Sequence, residues 1–237
     1  MELAGIDGCP KGWIMVKTIA DDYTYDVYEH FSDIIQYNPN LRRILVDMPI
    51  GLSTIDHRRN IDQHLRKNLG RRKSTVFNAP CRAAVYAQNP DQAKKENQAV
   101  EGKSLSIQSL SLCQKIREID RYLNSGTDHV DVFESHPEFC FKHLSTGCEV
   151  IDQSKHTPSG RLMRLEILRQ YDEKLPETFL AIMNSTKRKN VKPDDIIDAL
   201  CLCLVNKLGL DHSLSFLQTY PLRDSMHIEM KIAYYHS

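Results

Sequence analysis

Three short, mostly apolar runs of this sequence each end in an acidic residue: Asp7, Asp47 and Glu134. In open α/β sheets, ligands gather at the carboxyl ends of the strands, so these acids would converge if the runs are parallel neighbouring strands. A single acid in such a position often does no more than begin a turn or cap a helix. Three of them together favour a shared site.

A fourth group of acids begins an apolar segment, 194–205, whose pattern predicts a helix buried against a sheet. Asp194 and Asp195 follow Pro193, and acids in the first turn of a helix interact favourably with its dipole. Asp198 lies one turn further in, on the same face as Asp195. A carboxylate buried there costs several kcal/mol unless a cation or hydrogen bonds match it, so we expect Asp198 to meet a metal ion or a buried arginine.

Carboxylates gathered in one place repel each other, and hard divalent cations bind such oxygen-rich groups best. We therefore expect Mg²⁺ or Mn²⁺, with Asp198 favoured over Asp195 as the ligand from the last helix because it is deeper. Two such ions, about 4 Å apart, would activate a water molecule and stabilise the leaving oxygen of a phosphodiester. The predicted metal ligands are Asp7, Asp47, Glu134 and Asp198, and the predicted catalytic residues are the same four with Asp195.

Basic residues are concentrated in the segment 56–82, which carries eight Lys or Arg against two acids, a net charge of +6. Arginine binds phosphate bidentately, and neighbouring polar groups can position a nucleic-acid backbone. The alternative is a solvated helix end, because basic runs are common on protein surfaces. The residues of interest here are Arg71, Arg72, Lys73, Asn78 and Arg82. A second basic group, which could hold a strand outside the metals or form a flexible loop, is Lys187, Arg188, Lys189 and Lys192.

A structural zinc ion can be considered at His136, Cys140 and His143, which share one face of a predicted helix, with Cys148 shortly after. Their spacing matches no common zinc motif, and buried cysteines on amphipathic helices are ordinary. We interpret them as structural residues. Trp13 is likewise interpreted as a core residue and not as a platform for stacking bases.

Hydrophobic periodicity predicts an α/β domain in which these acids are carried by strands and a final helix. The predicted strands are 3–7, 13–19, 23–28, 44–47 and 129–134, with a further edge strand within 227–235. The predicted helices are 32–37, 137–144, 160–170 and 193–208. Residues 53–126 show no strong strand signal and are expected to form a mostly helical insertion, while 209–237 form a C-terminal extension of the single domain 1–237.

Composition limits the class of protein. A chain of 237 residues with 41% hydrophobic residues can build one large core. Seven cysteines are an odd number, and several lie in apolar helical stretches, which argues against a secreted disulfide framework. With no signal-peptide pattern and no apolar run long enough for a membrane span, we expect a cytoplasmic protein without a membrane partner. The net charge of zero does not by itself indicate a nucleic-acid partner.

Six blocks of sequence resemble the family called domain of unknown function 429, whose members are predicted to be ribonuclease H-like nucleases. The blocks are GIDGCPKGW (5–13), VDMPIGL (46–52), GRRKSTVFNAP (70–80), GKSLSIQ (102–108), ESHPE (134–138) and DDIIDAL (194–200). They occur in the family's order and cover most of the chain, from residue 5 to about 208.

The resemblance implies a ribonuclease H-like mixed five-stranded sheet in the order 3-2-1-4-5, with strands 1 to 3 antiparallel and strands 4 and 5 parallel to strand 1. Within that plan Asp7 matches the first-strand acid, Asp47 and Glu134 end the fourth and fifth strands, and Asp195 or Asp198 is the last-helix acid. The resemblance also assigns Lys103 and Gln108 near the site, although spacing alone suggests a cap and a surface amide.

The resulting expectation is a metal-dependent nuclease acting on DNA or RNA. An alternative is an actin-like ATPase or kinase, because DGCPKGW also resembles the first phosphate loop of those enzymes, although the second domain and second loop they require are not evident. A third possibility is a protein of the same fold that binds nucleic acid without cutting it.

Overall fold

The computed structural model describes residues 2–126, 130–218 and 222–236. The strands are β1 (Glu2–Cys9), β2 (Gly12–Ile19), β3 (Asp22–Tyr28), β4 (Leu41–Val46), β5 (Asp131–Ser135), β6 (Ser215–Leu217) and β7 (Ile232–Tyr234). The helices are α1 (Phe31–Tyr37), α2 (Ile61–Leu69), α3 (Arg82–Val85), α4 (Pro90–Glu101), α5 (Ile107–Leu123), α6 (Pro137–Leu144), α7 (Pro158–Tyr171), α8 (Lys174–Ser185) and α9 (Pro193–Asp211). Two short 3₁₀ turns are Gly70–Thr75 and Thr146–Cys148.

The strands form one mixed sheet in the order β3-β2-β1-β4-β5-β7-β6. Strands β1, β2 and β3 are antiparallel neighbours, and β4 and β5 run parallel to β1. The first five strands therefore lie in the predicted order and directions, but the prediction of a five-stranded sheet is wrong, because the sheet continues for two more strands beyond β5.

The C-terminal strand was predicted to lie at the edge of the sheet, and this prediction is wrong. β7 pairs in parallel with β5 on one side and antiparallel with β6 on the other, so β6 forms the edge. Each of these strands has only three residues, which is too short for an alternating pattern to reveal which neighbours it takes.

Side chains of alternate strand positions build a core on each face of the sheet. Ile14 and Val16 of β2 pack with α6, α7, α8 and α9, whereas Trp13 and Met15 pack on the opposite face with α1 and α5. Trp13 is fully buried, as predicted for a core residue. The two faces explain why β1 and β4 read as continuous apolar runs.

Helix α9 lies directly against β1, and Gly5 allows this close approach. A Cβ atom at Gly5 would lie 2.1 Å from the backbone nitrogen of Cys203 and 2.3 Å from the carbonyl oxygen of Ala199. The same contact explains why α9 is apolar on almost every side, as its sequence indicates: it is covered by the sheet on one side and by α6, α7 and α8 on the other.

The helix predictions are confirmed to within a few residues, and the structure adds α8, which the sequence analysis did not predict. Between β4 and β5 the described residues hold α2, α3, α4 and α5 and no strand, as expected for the helical insertion. Residue 129, the first of the predicted fifth strand, lies outside the described residues, as do 219–221 and 237 of the C-terminal extension. No described helix is both long and apolar enough to cross a bilayer.

Candidate metal centre

The pairing of β1 with β4 brings Asp7 and Asp47 side by side. The strands are parallel with Ile6 opposite Val46, and the pairing continues one step further through a 3.1 Å hydrogen bond from the Asp47 amide to the Ile6 carbonyl. Both acids thus stand at the carboxyl ends of neighbouring parallel strands, where ligands gather in open α/β sheets.

Helix α9 adds the third acid. Asp198 is fully buried and precedes Ala199, whose carbonyl lies where α9 meets β1 at Gly5. Carboxylate oxygens of Asp7, Asp47 and Asp198 lie within 4.8 Å of one another. Three acids from two strands and one helix therefore converge, in agreement with the prediction.

Lys155 is the cation at this group of acids. Its Nζ donates to Oδ2 of Asp198. The other oxygen of Asp198, Oδ1, is buried and has no hydrogen-bond partner among the residues that the structure describes. A buried carboxylate oxygen without a partner is costly, and a metal ion beside two further carboxylates would satisfy it. The donor set, made only of carboxylate oxygens, fits a hard divalent cation.

Mutual repulsion and burial govern the protonation of these acids. Burial, followed by the charges of Asp47 and Asp198, raises the pKa of Asp7 well above its usual value. Burial raises the pKa of Asp47 to about 7, with Lys155 opposing the shift and Asp198 adding to it. Burial disfavours the Lys155 ammonium, but the charges of Asp198, Asp7 and Asp47 together hold its pKa above the usual range.

Asp195 lies one turn earlier on α9 and is used as a helix cap. Its Oδ2 accepts a 2.9 Å hydrogen bond from the backbone N–H of Lys192. Burial raises the pKa of Asp195 to about 6, while that hydrogen bond opposes the rise. The charge of Asp195 contributes to raising the pKa of Asp7. Its oxygens do not belong to the group of three acids whose oxygens lie within 4.8 Å of one another. The preference for Asp198 over Asp195 as the helix ligand is in line with this geometry.

Glu134 lies on β5 next to this group but has other partners. Its carboxylate accepts one hydrogen bond from the Arg59 guanidinium, at 2.5 Å, and one from the Ile50 amide, at 2.8 Å. Arg59 is itself buried and also pairs with Asp62 at 2.7 Å. Burial raises the pKa of Glu134 to about 7, opposed by Arg59. The structure thus brings together three of the four predicted ligands and holds Glu134 in a buried ion pair beside them.

A second buried ion pair adjoins the acids at the beginning of α6. Both oxygens of Glu138 accept from one Arg164 nitrogen, at 2.6 and 2.8 Å, and Arg164 is fully buried. The charge of Glu138 contributes to raising the pKa of Asp47 and Asp198, after burial. Arg72, a member of the predicted phosphate-binding group, lies 3.5 Å from Glu138.

The other predicted substrate-binding residues lie at the surface or in separate networks. Arg71 is exposed and 3.3 Å from Asp152, and Asn78 accepts from Arg66. Arg82 is held by Asp120 and Asp224 at 2.7 and 2.6 Å. The remaining predicted residues have exposed side chains; they are Lys73, Lys103, Gln108, Lys187, Arg188, Lys189 and Lys192.

Sequence reasoning missed Lys155, Glu138 and Arg164. The requirement that Asp198 meet a cation pointed to a partner but not to Lys155, which lies in an irregular segment without periodicity. Glu138 resembled an ordinary acid in the first turn of a helix. The available signal for Arg164 was its position on the buried face of α7, where an arginine needs an acidic partner.

A family model described as "Protein of unknown function (DUF429)" matches residues 5–218. No curated protein and no solved structure matches the chain. The matched region includes all three acids of the metal centre and most of the 237 residues. The chain therefore belongs to the DUF429 family.

Proposed function

We propose that this protein is a ribonuclease H-like, metal-dependent nuclease that hydrolyses phosphodiester bonds of DNA or RNA with Mg²⁺ or Mn²⁺. The observation that carries the proposal is the meeting of Asp7, Asp47 and Asp198 within 4.8 Å, with one buried Asp198 oxygen unpartnered among the described residues. A divalent cation bound there would supply the Lewis acidity that activates water and offsets the charge developing on phosphate.

The residues themselves have distinct roles in this proposal. Asp7 and Asp47, fixed by the β1–β4 pairing, and Asp198, fixed by α9, hold and orient the cation. Lys155 pairs with Asp198 and offsets part of the acids' charge, and it would provide a positive charge near a phosphate bound at the cation. The Glu138–Arg164 and Glu134–Arg59 pairs keep the surrounding elements in position, because breaking a buried ion pair leaves an uncompensated charge.

A polyanionic substrate is supported by cationic residues around the site. The amide of Lys11, in the turn between β1 and β2, donates to the Asn190 carbonyl at 3.0 Å. The segment carrying Lys187, Arg188 and Lys189 therefore lies against the end of β1 that carries Asp7. Exposed lysines and arginines beside an acidic metal centre can hold the backbone of a nucleic acid while the metal binds the reacting phosphate.

The contacts of the turn between β1 and β2 do not favour a phosphate loop like that of an ATPase or kinase. A phosphate loop needs free backbone N–H groups aimed at the ligand. Here the Lys11 amide is used by Asn190, and the Nζ of Lys115 occupies the turn by donating to the Cys9 and Gly12 carbonyls at 3.3 and 2.8 Å.

The test is a cleavage assay with Mg²⁺ and with Mn²⁺ on single-stranded, duplex, hybrid and branched nucleic acids. We expect cleavage by the wild type that EDTA abolishes, and a loss of at least about a hundredfold in Asp198→Asn, because a metal-centred interaction is worth several kcal/mol. Asp91→Asn is the matched control, since that side chain is 89% exposed and should leave the rate unchanged.

Three outcomes would contradict the proposal. Tight, salt-sensitive binding of nucleic acid without cleavage would indicate a binding protein that has kept the fold. Release of phosphate from ATP that depends on Asp7 would favour the nucleotide-hydrolysing alternative. Cleavage that persists in Asp198→Asn would come from another site or from a contaminant.

A further inference from the structure

A second group of metal-ligating side chains lies away from the three acids. Ligand atoms of His143, Cys148 and His236 lie within 4.8 Å of one another. They differ in kind from the carboxylates of the metal centre, because a thiolate and two imidazoles are the ligands that zinc prefers. The nuclease proposal makes no use of these residues.

Three separate elements contribute these ligands. His143 lies in the last turn of α6, Cys148 ends the 3₁₀ turn that follows, and His236 lies two residues after β7. The two histidines are thus far apart in sequence and meet only because β7 pairs with β5, the strand that leads into α6.

The turn that carries Cys148 has an unusual backbone. Gly147 and Cys148 both have positive φ angles, 76° and 54°. Positive φ is unfavourable for a residue with a side chain, so the surrounding contacts must hold it. The Cys148 amide donates to the Ser145 carbonyl at 3.1 Å, and the Glu149 amide donates to the Ser145 hydroxyl at 3.0 Å. These bonds close the turn and fix the thiol beside His143.

Ring packing holds His143 in position. Its imidazole lies 4.6 Å from the Phe139 ring, 4.4 Å from Tyr234 and 5.2 Å from His236, measured between centroids. Cys148 is the only partly exposed cysteine among those described, so its thiol is accessible to an ion.

We propose that His143, Cys148 and His236 bind a zinc ion that fastens the C-terminal segment to the end of α6. Three protein ligands leave one tetrahedral position for water. The zinc site considered from the sequence included His136 and Cys140, but these residues have other contacts. His136 accepts a hydrogen bond from the Phe139 amide, and the Cys140 sulfur lies 3.2 Å from the Ser135 hydroxyl. His236 takes their place.

Cobalt substitution distinguishes this site from the acidic one, because only a thiolate ligand gives a sulfur-to-cobalt charge-transfer absorption. We expect the reduced protein titrated with Co²⁺ to show this band with one equivalent per chain, and Zn²⁺ to abolish it. Cys148→Ser should remove the band, and His236→Ala should weaken cobalt binding at least about tenfold. Asp198→Asn should keep the band, which separates this proposal from the proposed nuclease function.

The matched control is His212→Ala, another exposed histidine near the C-terminal segment, which should bind Co²⁺ like the wild type. Circular dichroism establishes that each variant is folded. Zn²⁺ should also raise the thermal midpoint of the wild type and of Asp198→Asn, but not of Cys148→Ser. A wild type without the charge-transfer band, or a Cys148→Ser variant that retains it, would overturn the proposal.

Discussion

Among the single residues of this molecule, Asp198 is the most informative. It is fully buried, one oxygen is paired with Lys155, and the other has no partner among the described residues. Asp7 and Asp47 add two further acids within 4.8 Å. Such an arrangement is unfavourable for the metal-free protein, and instability of this kind is often retained where it serves function.

Asp7→Asn should therefore stabilise the metal-free protein while removing its response to metal. The amide keeps an oxygen for the Gly8 N–H, which lies 2.7 Å from Oδ1, but it cannot ionise and so adds no like charge to the group. We expect a gain of about 1 kcal/mol in the free energy of unfolding in EDTA, and little further gain on adding Mn²⁺. Urea denaturation with and without Mn²⁺ measures both. A variant that is less stable in EDTA yet gains as much from Mn²⁺ as the wild type would contradict this account.

The stabilisation by metal should increase with pH. Burial raises the pKa of Asp47 to about 7 and places that of Asp7 well above its usual value, so the folded metal-free protein binds protons more tightly than the unfolded chain. The contribution of Asp47 to stability is complete below about pH 4 and is lost as the pH rises to about 7, at about 1.4 kcal/mol per proton and pH unit, and Asp7 contributes in the same direction.

Metal ions compete with these protons, so the difference in unfolding free energy with and without Mn²⁺ should grow through the same range. Denaturation at a series of pH values measures it. Asp7→Asn serves as the control, because it removes one titrating group and should flatten the curve. A difference that is independent of pH would show that the acids are already ionised without metal.

Glu134→Gln tests whether Glu134 acts on the metal or on the fold. The change removes the carboxylate that accepts a 2.5 Å hydrogen bond from Arg59, leaving Asp62 as the acidic partner of that buried guanidinium. We expect a loss of about 3 kcal/mol in stability and Mn²⁺ affinity within about threefold of the wild type by calorimetry, in contrast to the loss of binding in Asp47→Asn. Loss of Mn²⁺ binding in a folded Glu134→Gln protein would make Glu134 a ligand.

Among the elements, the contact between α9 and β1 decides whether the acids meet. Asp7 is carried by the strand and Asp198 by the helix, and the two approach because Gly5 has no side chain. The β1–β4 pairing sets the remaining distance, since Asp47 follows Val46 directly. The metal centre is thus a consequence of how closely one helix packs on a central strand.

Gly5→Ala should separate α9 from β1. The added Cβ would lie 2.1 Å from the Cys203 backbone nitrogen, a backbone contact that cannot give way by rotating a side chain. We expect a loss of about 3 kcal/mol or more and, in protein that still folds at low temperature, weaker Mn²⁺ binding. Gly102→Ala is the control, because a Cβ there meets no atom within 4 Å and only the positive φ of 70° is unfavourable, at about 1 kcal/mol. If both changes affected Mn²⁺ binding equally, the metal centre would not depend on the contact between α9 and β1.

Over the whole molecule, charge is balanced in total but unevenly distributed. The chain has 31 basic and 31 acidic residues. Asp7, Asp47 and Asp198 are gathered at one end of the sheet, and the basic segment with Lys187 and Lys189 lies beside that end. A neutral protein can in this way present a locally cationic surface around an acidic centre.

Binding of nucleic acid should accordingly depend on salt. Removing a lysine that pairs with one phosphate lowers the slope of log affinity against log salt by about 1. The double change Lys187→Ala with Lys189→Ala should weaken binding equally for unrelated sequences and reduce the slope by about 2. Lys174→Ala is the control, because Lys174 pairs with Asp22, the first residue of β3, at the end of the sheet away from Asp7. An unchanged slope would exclude this surface as the binding surface. The affinity for nucleic acid is measured by fluorescence anisotropy at several salt concentrations, with Ca²⁺ as the divalent cation.

Local sequence patterns were enough to specify the elements that carry the acids. The apolar runs before Asp7 and Asp47, and the apolar periodicity after Pro193, depend on residues a few positions apart, so they can be read directly from the chain. They were sufficient to predict the central strands, the helices α1, α6, α7 and α9, and a group of four acids, three of which meet. Of the two short strands beyond β5, β7 was predicted, although as an edge strand. The strand β6 and the helix α8 were not predicted, because their local patterns are weak or very short.

Which charges face one another depends instead on the packing of distant segments. The partners of Asp198, Glu138 and Glu134 are 43, 26 and 75 residues away in sequence, and no local pattern marks them. His236 likewise reaches His143 only through the pairing of β7 with β5. A buried charge must be compensated, so the sequence can predict that a partner exists, but the identity of that partner is settled only when the chain folds.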